Sequence, residues 1–577
     1  MNPIVSRLSG LRRVFTPAAD QRRRRLLAAA VKARRQAPDT VAALHDEALF
    51  LCAYPSSPQV RRLAQRVLRF CTKRAALISA GRLDGDAAGA LDNTGIAGTP
   101  VVFSPSLDLA RWMTRRFPRH VGVEWDDEAS VDSIERLLAR LLSVEVDGFR
   151  DEGFSTREWF QRAEHTRTPS GLRTLLALLA ELGAPPPILD AAFESLELHV
   201  RWRLERHGDS RTWLRFPPCE VFSLADGLQR EVDCAAVLAR PLPRAAALGA
   251  AERRNLVDVA RATLAVRSCE TDAITYADPR EVTLFRLERG FDVAILGMQP
   301  ARRLPIESYF GYVAARNRVP IAYGGGWVFC GRCEIGVNLF PEFRGGESAL
   351  IFAQILRTYA RHFRVRRFLV DPFQFGADNE DAIRSGAFWL YYRLGFRPLD
   401  AALNRLAERE AARSSANAGY RSSPRTLRRL AGGPVFLDVP GGDAAEEFAC
   451  GGSAPSLAAI GRCVTQWIGR RFGGDRRAAL ACAVAAARRI TGLHESRLRG
   501  ETARTWFSRL APIVALLPGV DDWTRAERAE LGRIILAKGG PRERDYAMRL
   551  SRHARLRQAL ARMAESAAHF ASAAKRH

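Results

Sequence analysis

Two short stretches of this chain hold residue types that can do chemistry together. The first is Phe343-Arg344-Gly345-Gly346-Glu347-Ser348-Ala349, which reads as a strand turning through glycines into a helix. Glycines before a helix N-terminus free backbone N–H groups and present the positive end of the helix dipole, an arrangement that cradles an anion such as a pyrophosphate. Arg344 would add a charge-assisted contact. The second stretch is Ala387-Phe388-Trp389-Leu390-Tyr391-Tyr392-Arg393-Leu394-Gly395-Phe396, an amphipathic helix ending at a Gly-Phe stop. Tyr391 supplies a phenol, which is neutral at pH 7 and can give a proton at a dry site. Its structural alternative, shared with Tyr392, is simple packing of that helix.

A proton acceptor is also needed if an amine is to attack anything held there. Along Cys333 to Phe340, alternation places Glu334, Gly336, Asn338 and Phe340 on one face and Cys333, Ile335, Val337 and Leu339 on the other. Glu334 is one candidate base, and Asp371, at the end of the next strand, is a second. Either could instead be a salt-bridged or solvent-facing acid.

The elements that must position these groups follow from periodicity. Glu281 to Leu287 and Phe291 to Leu296 read as a hairpin around Glu288-Arg289-Gly290. Ser308 to Ala315, Val319 to Phe329 and Cys333 to Phe340 continue an antiparallel meander through turns at Arg316-Asn317-Arg318 and Cys330-Gly331-Arg332. A helix over Ser348 to His362, a strand over Arg367 to Val370, a helix over Ala387 to Leu394 and a strand from Phe396 complete the module. Gly324-Gly325-Gly326 is followed by no helix, so it reads as a bulge or a close backbone approach and not as a phosphate loop.

This order of elements resembles the GNAT family of acetyl-coenzyme A-dependent N-acyltransferases over roughly residues 270–400. The family's coenzyme loop follows a Q/R-x-x-G-x-G/A pattern. Arg344 and Ala349 match its first and last positions, with Gly345, Gly346 and Ser348 between them and Glu347 in place of the middle glycine. A carboxylate there repels pyrophosphate unless it turns away; its plain reading is a favourable acid in a helix first turn. The family's terminal A-x-x-x-Y-x-x-x-G-F falls in register on Ala387, Tyr391, Gly395 and Phe396. The resemblance implies that Tyr391 protonates the departing coenzyme thiolate. It implies that backbone N–H groups around Val337 to Leu339 bind the thioester carbonyl and pantetheine, and that Asn379 contacts the coenzyme. Acetyl-coenzyme A would be the cosubstrate and an amine the acceptor.

Elsewhere the chain says less about chemistry. Its 577 residues predict about three domains. These are a mainly helical region over 1–265, the GNAT-like domain over 266–400, a Ser- and Asn-containing linker over 401–424 and a basic helical region over 425–577. The fold class is α+β: a central mixed sheet with helices, flanked by mainly helical N- and C-terminal regions. In the first region, Ser57 to Lys73, Ser130 to Leu142, Ser170 to Leu182 and Leu189 to Leu204 show helical spacing, and Val101 to Phe103 and Val121 to Val123 read as short strands. In the last, helices are predicted over Arg476 to Ile490, Ala503 to Leu517, Arg525 to Ala537 and Glu543 to Ala568.

The net charge of +25 gathers at the ends. Residues 1–36 hold ten Lys/Arg against Asp20 alone, and residues 401–577 hold 31 against 16 acids. Basic ends attract polyanions, so the rival function is a catalytically inactive GNAT-like scaffold that binds nucleic acid or an anionic membrane surface. Only Lys32, Lys73, Lys538 and Lys575 are lysines, so part of the charge reflects arginine-rich composition. Ten scattered cysteines and the absence of an apolar leader or an 18-residue apolar run point to a cytoplasmic protein. Cys330 and Cys333 form a lone CxxC, and without a second pair no metal is expected.

Overall fold

A computed structural model describes residues 2–32, 37–82, 89–142, 144, 152–417, 419–441 and 455–574. Arg34, Arg35, Cys450 and Lys575 lie outside these residues. The architecture is mixed α/β, with a central nine-stranded sheet flanked by helices. No described helix is long and apolar enough to cross a membrane.

A small sheet comes first in the chain. Its strands are β1 (Pro100–Phe103), β2 (Val121–Val123) and β3 (Val200–Arg203), with β3 in the middle and antiparallel to both. β3 corrects the helix expected over Leu189 to Leu204. That helix is only Pro186–Glu194, and beyond it Val200 and Trp202 point into the core while Arg201 and Arg203 point out. The apolar spacing there fits both periods, and pairing on two sides decides for the strand.

The central sheet begins with β4 (Ala277–Leu287), β5 (Phe291–Met298), β6 (Ser308–Arg316) and β7 (Val319–Phe329), an antiparallel meander. The tight turns fall where the sequence places them, with Arg289, Gly290, Asn317 and Arg318 in left-handed conformations. β8 (Arg332–Ile335) and β9 (Asn338–Leu339) both pair with β7 in one continuous register, interrupted at Gly336 and Val337. β10 (Arg367–Val370) runs parallel to β8, and the pairing ends at Leu369 against Glu334. β12 (Val435–Asp438) lies between β10 and β11 (Arg397–Pro398).

The insertion of β12 means that the sheet draws on residues beyond 400. The linker expected over 401–424 is instead mostly the helix Ala401–Ala416. Asp400 caps it, accepting 2.8 Å hydrogen bonds from the N–H groups of Ala402 and Leu403, and Leu406 and Ala407 are buried. This helix and the following Pro424–Leu430 carry the chain back to place β12. The predicted helix over Glu543 to Ala568 is two helices, Glu543–Arg552 and Ala554–Ala574, broken at His553.

Both faces of the meander are covered. Phe285, Ile295, Phe310 and Ile321 pack with the first helices of the chain and with the helix Ser348–Phe363. Leu284, Ala294, Leu296 and Val313 pack with the small sheet and the helix Ala250–Ala265. The C-terminal helices form a separate core that meets the sheet at Phe329 and Cys330. Gly324, Gly325 and Gly326 are the close approach expected of them, since a Cβ there would stand 2.6 Å from the Tyr312 hydroxyl, 2.3 Å from the Tyr309 ring and 2.6 Å from the Tyr359 ring.

Candidate active site

The site opens where two parallel strands part. β10 stops pairing at Leu369, Asp371 follows one residue beyond the strand, and Pro372–Phe375 turns away as a 3₁₀ helix. Proline cannot donate to a ladder, so the parallel pairing cannot continue. On the other side, the Phe340 N–H bonds the Ile321 carbonyl at 3.1 Å and the Gly336 N–H bonds the Gly325 carbonyl at 3.3 Å. In an antiparallel ladder alternate residues bond the neighbour. Val337 and Leu339 therefore direct their N–H groups away from β7, toward the gap that β10 has left.

That gap leads into a cleft of about 1490 Å³. Val337, Leu339, Arg344, Gly345, Gly346, Ser348, Ala349, Asn379 and Tyr391 all line it. Residues far apart in the sequence are thus brought to one cavity. Glu334 and Asp371 do not line it.

The loop that starts the helix Ser348–Phe363 forms one wall. Gly345 takes φ +82°, a conformation glycine adopts without strain, and Gly346 packs against Tyr54. Arg344 is exposed at the rim. Arg230, Arg344 and Arg393 line the cleft with no acidic partner among the described residues. Arg211 and Arg267 line it too, but they are tied to Glu342, at 3.7 and 2.7 Å. Arg211 also meets Asp46 at 2.7 Å, and although burial opposes it, that guanidinium holds the Asp46 carboxyl down at about 2.

Glu347 turns inward. It is 1% exposed, pairs with Arg289 at 3.0 Å and Arg316 at 3.1 Å, and accepts the Gln229 N–H at 2.8 Å. Gly346 and Ser348, its neighbours, line the cleft and it does not. The carboxylate is spent on clamping the loop to the β4–β5 and β6–β7 turns, where Arg289 and Arg316 sit.

Tyr391 sits on the short helix Phe388–Arg393, between two glycines with positive φ, Gly386 and Gly395. Its ring packs edge-on against Phe352, Phe375 and Phe396, and only 2% of the residue is exposed. The hydroxyl makes no hydrogen bond with any described residue. Burial pushes the phenol up, so it keeps its proton at neutral pH. Packing and access to the cleft are therefore combined in one side chain. Asn379 has a structural task as well: its carbonyl caps the helix Glu380–Ser385 at Ala382 (3.1 Å), and its amide donates to the Phe373 carbonyl at 3.0 Å.

Glu334 and Asp371 stand exposed on the opposite face of the sheet, beside the point where the strands part. Partial burial, and then the nearby Asp371 carboxylate, push the Glu334 carboxyl up. Asp371 accepts the Phe373 N–H at 2.8 Å and so fixes the 3₁₀ turn. Trp327 pairs with Glu334 across the strands and stacks on Tyr309, with centroids 4.3 Å apart.

Sequence reasoning missed the walls supplied by the N-terminal half, including Asp46, Arg211, Arg230 and Arg267. Only the fold brings them here. Cys330 and Cys333 are buried in different cores, and no described cluster of three or more His, Cys, Asp or Glu suits a metal. Comparison with protein families, curated proteins and solved structures finds no match for this chain.

Proposed function

We propose that the chain is an acyl-coenzyme A-dependent N-acyltransferase of GNAT type, acting on a primary amine. The observation that carries this reading is the inward turn of Glu347, which leaves the helix N-terminus and its glycines free to face the cleft. The residues present fit an acyl-coenzyme A. A helix N-terminus with Gly345 and Gly346 suits a pyrophosphate, exposed Arg344 suits phosphate charge, and the free N–H groups of Val337 and Leu339 suit pantetheine and a thioester carbonyl. The cosubstrate would supply an activated acyl group.

The chain's own groups would do the rest. The N–H groups at the gap would steady charge on the carbonyl oxygen as the amine nitrogen bonds to its carbon. Glu334, directly or through water, would take the proton that the amine sheds at the gap between the parted strands, reached from the face opposite the cleft, with Asp371 as the other carboxylate on that face. Tyr391 would give its proton to the sulfur as the C–S bond breaks. The buried phenol keeps its proton at neutral pH, so a proton is in place as the C–S bond breaks.

The rival reading, an inactive scaffold, drew support from a carboxylate in the anion loop. Glu347, paired to two arginines and turned from the cleft, does not add to that reading, which then rests on the basic ends. The test is thiol release from acetyl-coenzyme A in the presence of a panel of primary amines. Release that depends on both chain and amine, slowed in Glu334→Gln, is expected. No amine-dependent release across small amines, amino acids, amino sugars and lysine peptides would overturn the reading.

A further inference from the structure

A second cavity lies far from the cleft in residue makeup, and the two share no lining residue. The helices Leu457–Phe472, Arg476–Thr491 and Glu501–Ala515, together with the connection between β5 and β6, enclose about 690 Å³. The wall is apolar, with Ile306, Ile460, Val464, Trp467 and Ile513 among its residues, and Leu480 is left 39% exposed. The hollow opens to solvent past Leu480, Arg476 and Arg477, and apolar surface left facing water is costly to leave uncovered. The volume falls within the range of small-molecule sites.

The charges around it are unequal. Arg476, Arg477 and Arg509 line the cavity with no acidic partner among the described residues, and Arg509 stacks on Trp506 at 5.0 Å. The acid on the wall, Glu307, lies near Arg332 and Glu334 of β8, and Lys538, at the end of the helix Arg525–Lys538, donates to its backbone carbonyl at 2.8 Å. Unpaired guanidinium groups over an apolar hollow complement a molecule with an anionic head and a hydrocarbon tail.

We propose that this cavity binds a long-chain carboxylate, with the chain among the apolar side chains and the carboxylate on Arg476, Arg477 and Arg509. Gly461 supplies a clean way to block it. It lines the cavity, sits inside the helix Leu457–Phe472, and a Cβ placed on it meets nothing within 4 Å. A larger side chain there fills space without moving backbone, and glycine in a helix interior is no asset to stability.

The experiment is displacement of a fluorescent long-chain fatty acid from the full chain. Palmitate should displace it at least about tenfold better than hexadecanol, the difference expected of charge-assisted contacts. Gly461→Phe should lose probe binding with an unchanged melting temperature. The double variant Arg477→Glu, Arg509→Glu, at exposed positions, should weaken palmitate about tenfold. Equal displacement by palmitate and hexadecyltrimethylammonium, or full binding by a folded Gly461→Phe, would overturn the proposal. So would displacement by acetyl-coenzyme A, which would place the probe in the cleft.

Discussion

From β4 to β7 the central sheet is covered on both faces, whereas from β8 through β10 to β12 and β11 one face is only partly covered. Every residue of β5 and β6 is buried. In β8 and β10 buried residues alternate with exposed or half-exposed ones, and Glu334 is exposed. The covered half also carries the buried charges that join it to the C-terminal helices. Arg303 pairs with Glu281 at 3.3 Å and with Glu543 at 3.6 Å, and donates to the carbonyls of Lys538 and Gly540. The open half holds groups without partners among the described residues: the Tyr391 hydroxyl, the outward N–H groups of Val337 and Leu339, and Arg344. One half of the sheet is spent on holding the molecule together, and the other leaves its polar groups for something else.

If that division is right, substitutions on the two sides should fail in different ways. Arg303→Ala leaves the buried Glu281 without its ion-pair partner, while Glu543 keeps Lys538 at 2.5 Å, so urea unfolding should show a loss of about 3–5 kcal/mol. Acyl transfer by the fraction still folded should be normal. Tyr391→Phe should do the reverse, lowering turnover by about 10²- to 10⁴-fold while the stability changes by less than about 1 kcal/mol. A large fall in melting temperature with unchanged turnover per folded molecule would reduce Tyr391 to packing.

A third prediction concerns pH in the covered half. Burial first, only partly offset by Arg286, pushes the Asp292 carboxyl up from 3.8 to about 6. The folded state therefore binds a proton that the unfolded state has already released between those values. Stability should fall as pH rises from about 4 through about 6, by about 2–3 kcal/mol at most. Asp292→Asn should flatten that slope in a melting series. The raised Glu334 carboxyl in the open half should show itself in turnover, which rises with pH through a value above the ordinary 4.5.

The smallest expected effect has the most informative sign. Glu347→Gln weakens two buried ion pairs and should cost about 1–3 kcal/mol. Acetyl-coenzyme A affinity should stay level or drop as the loop loosens. A gain in affinity would mean that the carboxylate faces the phosphates after all.

Much of this was legible in the residues themselves. The meander, its turns, the helix after Ser348 and the strand Arg367–Val370 follow from period and turn chemistry. The family resemblance carried by Ala387 to Phe396 implied a place for Tyr391 at the site, and Tyr391 lines the cleft. The direction of Glu347 was not legible, because Arg289 and Arg316 reach it only through the β turns and Gln229 lies 118 residues earlier in the chain. β12 was hidden behind two helices whose Ser- and Asn-rich flanks read as a linker. β3 was hidden because Leu189 to Leu204 satisfies the helical period until the pairing partners are known. Local pattern found the elements, and long-range pairing fixed their roles.

The most direct test of the central claim is a calorimetric titration of the full chain with acetyl-coenzyme A. Saturable binding at one site, weakened in Arg344→Ala, is the predicted result. No heat of binding at millimolar ligand would contradict it.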